Sequence, residues 1–352
     1  MSTSSAAHVP TSPSRIRVFA PATVANVASG FDVLGFALEN PGDAVTLARV
    51  PGRAVSVVSI TGDGGKLPRD PLKNTAAVAV SGFMSRIGFP FGVDISLEKR
   101  MPLSSGLGSS AASAVAAVFA ANLLAGSPLS TRALLPFTME AERAACGSAH
   151  ADNVAPSLLG GFVLIRSYDP LDVVQLPVPA GLSCAVAHPH AELRTEDARR
   201  IMKKDIRLSD AIRQWGNLAA LVAALYSGDL GLLGRSLQDV VAEPARSMLI
   251  PGFAAVKAAA LSAGALGCSI SGSGPSVFAL CATTEESSRA GEAMVEAFKK
   301  AGLASDLYIS AVNTKGPVVI PEGSVVIPEG SVVIPEGSVV IPQGSVAGEP
   351  SS

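Results

Sequence analysis

Residues 102–112, Pro-Leu-Ser-Ser-Gly-Leu-Gly-Ser-Ser-Ala-Ala, constrain this chain more than any other stretch. Gly106 and Gly108 lie two residues apart among Ser104, Ser105, Ser109 and Ser110, so no large side chain stands in the way of a ligand. The run 111–125 that follows is rich in Ala, Val and Leu and is expected to form a buried helix. A small-residue loop that opens a helix aims unpaired N–H groups and the positive end of the helix dipole at one point, which suits a phosphate. The plainer alternative is a helix start packed tightly against a sheet. The interleaved serines favour the phosphate. Ser109 and Ser110 stand where a Walker A loop carries Lys and then Ser or Thr, so this loop is of another kind.

The rest of the composition narrows the class. With 352 residues at 48% hydrophobic, the chain can fill one large domain or two ordinary ones. A net charge of −2 with only 16% charged residues gives no nucleic-acid footprint. No apolar run reaches membrane-spanning length uninterrupted. Cys146, Cys184, Cys268 and Cys281 are widely spaced and read as buried reduced thiols of a cytoplasmic protein. Residues 1–14, rich in Ser, Thr and Pro, read as a disordered tail without the features of a signal or transit peptide. Residues 317–352 are a low-complexity tail built on a Val-Val-Ile-Pro-Glu-Gly-Ser repeat. The Pro and Gly in each unit exclude a coiled coil, and the Val-Val-Ile triplets can pair as short strands.

Strands are expected at 16–20, 45–50, 55–60, 93–97, 162–166, 183–187, 277–281 and 308–312, and helices at 76–87, 129–145, 208–226, 230–241, 254–263 and 285–301. Asp94 and Ser96 fall on the wet face of their strand, and Trp215, the only tryptophan, is expected in the core. Several polar residues carry two readings. Asn26 can be a turn residue and Asp32 a helix cap, or both can hold a polar ligand, the carboxylate suiting an ammonium group. Asn74 can cap its helix. Glu142 can sit on a solvated face or offer Mg²⁺ an oxygen beside bound phosphates. Asp152 is expected to bond to backbone, and His188-Pro189-His190 reads as a loop rather than a metal pair. Thr195 reads as an N-cap with acids in the first turn, and Arg246 as either exposed or a bidentate anion fork.

The glycine loop resembles the ATP-binding motif of the GHMP kinases. Within that superfamily, segments 20–35, 142–161 (His-Ala-Asp-Asn-Val-Ala-Pro above all), 195–199, 243–253 and 265–276 resemble the homoserine kinases in the same order. The resemblance spans residues 15–314. It implies an α+β, two-domain architecture with the active site in the cleft, an ATP-binding N-terminal domain over 15–170 and a C-terminal domain over 171–316. It implies ATP contacts at Asn74, Pro102, Leu103, Ser104, Ser105, Gly106, Leu107, Gly108, Ser109, Ser110, Gly272 and Ser273, and Mg²⁺ at Ser110 and Glu142. L-Homoserine would meet Asn26, Asp32, His150, Thr195, Arg199 and Arg246, with Asn153, Arg199 and Arg246 acting in catalysis. Because Asn153 stands where mevalonate kinases and galactokinases carry Asp, the resemblance implies phosphoryl transfer without a general base, by positioning and charge neutralisation. The implied activity is ATP-dependent phosphorylation of the homoserine side-chain hydroxyl. Two alternatives are another GHMP small-molecule kinase and a non-catalytic binding protein of the same fold. Neither nucleic acid nor membrane is expected as a partner, and the sequence leaves the oligomeric state open, a homodimer included.

Overall fold

The first half of the chain pairs strands before it packs helices, and the alternation of its apolar residues dictates how. Residues 13–147, 150–321 and 333–334 are described by the structure, a computed structural model. Strand β1 (Arg15–Ala25) runs antiparallel to the long β2 (Leu34–Val50). The sheet continues through β4 (Gly92–Glu98), antiparallel to β2, to β3 (Val55–Thr61), parallel to β4. A hairpin of β5 (Phe162–Tyr168) and β6 (Leu171–Leu176) joins through β5 on β2, and the repeat strand β11 (Val318–Val319) lies along β1. This seven-stranded sheet carries helices α1 (Thr75–Arg86), α2 (Ser109–Leu124), α3 (Leu135–Cys146) and α4 (Ala151–Leu159). Helix α2 is Ala-rich because it is enclosed on nearly every side: 13 of its 16 residues are buried, which leaves no room for an amphipathic pattern.

A second sheet has five antiparallel strands in the order β12-β10-β7-β9-β8: β7 (Ser183–Pro189), β8 (Gly267–Ile270), β9 (Val277–Cys281), β10 (Ser305–Ala311) and the repeat strand β12 (Val333–Ile334). Its central strands β7 and β9 are buried along their whole length because both faces are covered. Cys184, Val186, Phe278 and Leu280 point into the core shared with the first sheet. Ala185, Ala187, Val277 and Ala279 point into a second core, closed by α9 (Phe253–Ser262) and α10 (Thr284–Lys300). Phe36 of β2 packs on Phe162 (ring centroids 4.8 Å) and edge-on against Phe278 of β9 (6.1 Å), joining the two layers. Helices α5 (Thr195–Arg200), α6 (Leu208–Ser227), α7 (Leu230–Ser236) and α8 (Glu243–Arg246) fill the connection between β7 and β8.

Several expectations are corrected. Strand β2 begins eleven residues earlier than the expected 45, because Asn40-Pro41-Gly42 disguises a strand whose break is local. The 129–145 helix begins as a 3-10 turn at Thr131–Leu134 before α3, and the 230–241 helix ends at Ser236. Thr195 is the first helical residue of α5 rather than its cap, a place taken by Arg194. Trp215 is 56% exposed, on the same outward side of α6 as Leu208 and Ile212, while Leu221, Ala224 and Leu225 face the core. Cys184, Cys268 and Cys281 are free and buried as expected; the Cys146 side chain and residues 1–12 lie outside the described residues. Two of the four Val-Val-Ile triplets contribute residues to strands, β11 and β12. No helix among the described residues is long and apolar enough to cross a membrane.

Candidate active site

The glycine loop leaves β4, and Gly108, at φ +68°, occupies the cap position of α2. The first intrahelical bond there runs from Ala112 N–H to Gly108 C=O, so the N–H groups of residues 109–111 remain free to meet an anion. Neighbouring backbone holds the loop. Thr23 N–H donates to Leu107 C=O (3.0 Å), Ser276 N–H to Ser105 C=O (3.3 Å) and the Ser271 hydroxyl to Gly106 C=O (2.8 Å). The second small-residue loop, 271–276, thus zips onto the first. Here the glycines have a reason beyond ligand access. A Cβ at Gly106 would lie 2.4 Å from the Ser271 carbonyl oxygen, and one at Gly108 would lie 2.1 Å from Thr23 Oγ1.

Beneath the loop lies an ion pair that the sequence reading missed. The Lys99 ammonium bonds to the Asp43 carboxylate, to Ser109 C=O (2.9 Å) and to Ser113 Oγ (2.8 Å), all out of solvent. Asp43 accepts in turn from the hydroxyls of Ser109 (3.2 Å) and Ser113 (3.0 Å) and from Arg100 N–H (3.0 Å). A buried pair with its remaining lone pairs satisfied is rigid, and this one fixes the first turn of α2.

Above the loop opens a cavity of about 940 Å³ lined from both halves of the chain. That volume is near the top of the roughly 300–1,000 Å³ range of small-molecule sites, enough for a nucleotide and a small co-substrate. One end is walled by Leu67, Pro68, Leu72, Asn74 and Leu97. Asn74 caps α1 there: its Oδ1 accepts from Ala76 and Ala77 N–H, while its amide nitrogen donates to Pro68 C=O. Ser104, Ser105, Gly106, Gly108, Ser109, Ser110, Gly272 and Ser273 line the middle, joined by Leu103. Pro102 and Leu107 are not part of the lining; Leu107 is fully buried and its side chain belongs to the core.

Glu142 reaches the middle from α3 and is 4% exposed. Burial lifts its carboxyl above the ordinary carboxylate range, against the hydrogen bond from Ser110 and the charge of Lys99, and its Oε1 has no hydrogen-bond partner. A buried carboxylate with an orphaned oxygen, beside a hydroxyl and a phosphate-sized site, fits Mg²⁺, which takes one or two protein oxygens plus phosphate and water. Among the described residues no group of three or more His, Cys, Asp or Glu could hold a metal by itself.

The other end is ionic. Asn26 is fixed by its own turn: its Oδ1 accepts from Asp32 N–H (2.7 Å), and its amide donates to Gly272 C=O (2.9 Å). Arg199 forks onto both Asp32 carboxylate oxygens (2.8 Å each) and donates to His150 Nδ1 (3.1 Å). Burial and the Arg199 charge hold His150 below its usual pKa, consistent with a neutral ring that accepts this bond. Arg246, 3% exposed, donates to Gly272 C=O (3.0 Å) and lies 4.8 Å above the Phe31 ring, while Arg199 lies 5.7 Å from the same ring. Phe31 is thereby in cation–π contact with both guanidinium groups. Arg246 is placed by α8, whose N-terminal N–H groups are taken by Asp239: Oδ1 accepts from Ala242 N–H (2.9 Å) and Oδ2 from Glu243 N–H (2.8 Å). Thr195 lies at the rim, 3.3 Å from the Ser273 hydroxyl.

Asp152 keeps a bond to its own backbone N–H, as expected, but this satisfies only one side of its carboxyl. Asp152 lines the cavity, and its Oδ1 is buried and has no partner. Burial first, then the neighbouring charge of Asp32, raises its pKa from 3.8 to about 7. Next to it on α4, Asn153 accepts from the Thr23 hydroxyl (2.8 Å) and faces the cavity between the loop and the ionic end. His188 and His190 stand apart from this site. His188 bonds to Ser276 Oγ (3.0 Å) and burial lowers its pKa to about 4; His190 pairs with Asp306 (3.1 Å). The sequence reading therefore brought eighteen of its twenty site residues to one cavity and missed Asp43, Lys99, Phe31 and Thr23. No local signal marks Asp43 and Lys99 as a buried pair, since Lys99 stands between the charged Glu98 and Arg100 and Asp43 follows Asn40-Pro41-Gly42.

Comparison with known proteins agrees with this geometry. Models described as GHMP kinases N terminal domain and GHMP kinases C terminal match residues 74–161 and 221–300. A homoserine kinase of Chlorobium phaeovibrioides is 55% identical over 317 residues, covering 87% of this chain and 99% of the relative. That of Chlorobaculum tepidum is 53% identical, covering 86% and 97%. The crystal structure of homoserine kinase from Cytophaga hutchinsonii superposes with a TM-score of 0.87 at 56% identity, covering 90% of this chain and all of that one. With a glycine loop opening a buried helix, a buried carboxylate beside it and an ionic pocket facing both, the chain belongs to the GHMP kinase family, among its homoserine kinases.

Proposed function

We propose that this protein transfers the γ-phosphoryl group of ATP to the side-chain hydroxyl of L-homoserine, giving O-phospho-L-homoserine and ADP, the step that commits homoserine to threonine. One observation carries the reading: a single cavity joins an anion site at the start of α2 to a pocket holding two guanidinium groups and two carboxyls, with Asn153 between them. A zwitterionic amino acid needs both signs of charge at a spacing of a few ångströms. Arg246 offers a fork for the α-carboxylate. Because Asp32 and Arg199 neutralise each other, the unpartnered Asp152 oxygen is the acceptor left for the α-ammonium.

The free N–H groups of residues 109–111 and the loop hydroxyls hold the β- and γ-phosphates, and Leu67, Pro68, Leu72 and Asn74 enclose the nucleoside end. Glu142 and Ser110 are the residues that hold Mg²⁺, which when bound neutralises phosphate charge. The hydroxyl oxygen attacks the γ-phosphorus as the bond to the β–γ bridging oxygen breaks, and the hydroxyl proton leaves late, to solvent or to a phosphoryl oxygen. Asn153 has no useful basicity, so it orients rather than deprotonates. In a loose transition state, that positioning and the charge neutralisation supply the rate. Three free buried thiols suit the reducing, ATP-containing cytoplasm. The test is ADP release with Mg-ATP and a panel of homoserine, mevalonate, galactose and shikimate. Homoserine alone should give turnover well above background, and preference for another alcohol refutes the substrate.

A further inference from the structure

We infer that Thr23 is a positioning residue that fixes which face of the Asn153 amide meets the substrates. Thr23 is fully buried on β1, where the register against β2 shifts between Pro21 and Thr23. Such an irregularity re-aims a side chain out of the regular pleat. Here it serves two elements at once. The Thr23 N–H donates to Leu107 C=O in the glycine loop (3.0 Å), and its hydroxyl donates to Asn153 Oδ1 on α4 (2.8 Å).

The direction of the second bond matters. An amide can present its oxygen or its nitrogen to the cavity, and the two ends have opposite hydrogen-bonding character. With Oδ1 turned to the Thr23 hydroxyl, the Asn153 nitrogen is the end that remains for the cavity, and no protein group among the described residues accepts from it. A donor there supports the lone pairs of an incoming hydroxyl or the oxygens of a transferring phosphoryl group. The flipped amide would set an oxygen against those same atoms. Because Thr23 also carries Leu107, the amide and the phosphate loop move as one unit. Gly108, whose Cβ would collide with Thr23 Oγ1, leaves the room this requires.

This inference rests on the kinase reading above, and its test separates the two. Thr23→Val keeps the shape and removes the hydroxyl. One mis-set hydrogen bond is worth about 1 kcal/mol, so kcat should fall roughly five- to tenfold with KM for ATP nearly unchanged. Thr23→Ser should restore the rate. In an Asn153→Ala background, Thr23→Val should cost nothing further, as expected for two residues acting as one unit. An equal loss in both backgrounds, a rise in KM for ATP with kcat intact, or failure of serine to rescue overturns the proposal. A second readout does not depend on the substrate: the Asn153 side-chain amide resonance, identified by its loss in Asn153→Ala. It should be one sharp pair in the wild type and Thr23→Ser, and broaden in Thr23→Val. An unchanged resonance in Thr23→Val refutes the orienting role, whichever alcohol the enzyme phosphorylates.

Discussion

Asp152 gives the most quantitative consequence of the site. In the unfolded chain its carboxyl titrates at its ordinary 3.8; in the folded protein without ligands, burial and the Asp32 charge raise this to about 7. Below pH 4 both states hold the proton and the group contributes nothing to pH dependence. Between pH 4 and 7 the unfolded chain releases its proton while the folded chain keeps it, so stability falls as pH rises. Above pH 7 the loss is complete. The full difference is on the order of 4 kcal/mol, at about 1.4 kcal/mol for each tenfold change in proton affinity. Asp152→Asn removes the titration while keeping the shape. Thermal melts of both proteins, ligand-free, from pH 4 to 8 should therefore diverge: relative to wild type, the variant gains several degrees of Tm across this range. Homoserine should close the gap by supplying an ammonium to the wild-type carboxylate. A constant offset in packing leaves the slope intact, so parallel curves would refute the account of a buried acid with one unpartnered oxygen.

Other expectations are simpler. Glu142→Gln should raise the Mg²⁺ concentration needed for half-maximal rate and abolish Mg²⁺-nucleotide stabilisation of the fold; an unaltered Mg²⁺ titration would assign the carboxylate no role. Gly108→Ala places a methyl group 2.1 Å from Thr23 Oγ1 at φ +68°, so melting temperature and ATP affinity should fall together, and loss of affinity with unchanged Tm contradicts the packing argument. Arg246→Ala deletes a charge-assisted bond worth about 1.5–3 kcal/mol, which predicts roughly ten- to a hundredfold lower kcat/KM for homoserine with a small effect on ATP in steady-state kinetics.

What was legible in the sequence follows from how local each feature is. The glycine loop and α2 were readable because a small-residue turn and an enclosed helix both write their demands into consecutive residues. Asn74 declared itself as a cap for the same reason. Asp43 and Lys99 were silent because they sit 56 residues apart, and only the pairing of β2 with β4 brings their side chains under the loop. Thr23 and Asn153 meet across 130 residues, so nothing near either one announces the bond. Asp152 finds a backbone N–H as an acid at a helix start ordinarily does, but its place in the cavity lining and its unpartnered Oδ1 depend on distant packing that no neighbouring residue announces. Trp215 is exposed rather than in the core because α6 turns Leu221, Ala224 and Leu225 inward and leaves Trp215 on its outer side. The resemblance implies that Asp32 and Arg199 both meet the substrate, but their pairing with each other across 167 residues is visible only in the fold.

The central claim is that one cavity brings the γ-phosphate of ATP to the hydroxyl of homoserine. The ³¹P spectrum of the protein incubated with Mg-ATP and L-homoserine tests it directly. The account predicts a new phosphomonoester resonance growing in step with ADP, absent when homoserine is omitted and strongly reduced in Arg246→Ala. ADP appearing with inorganic phosphate alone, or a phosphomonoester formed only with a different alcohol, would contradict it.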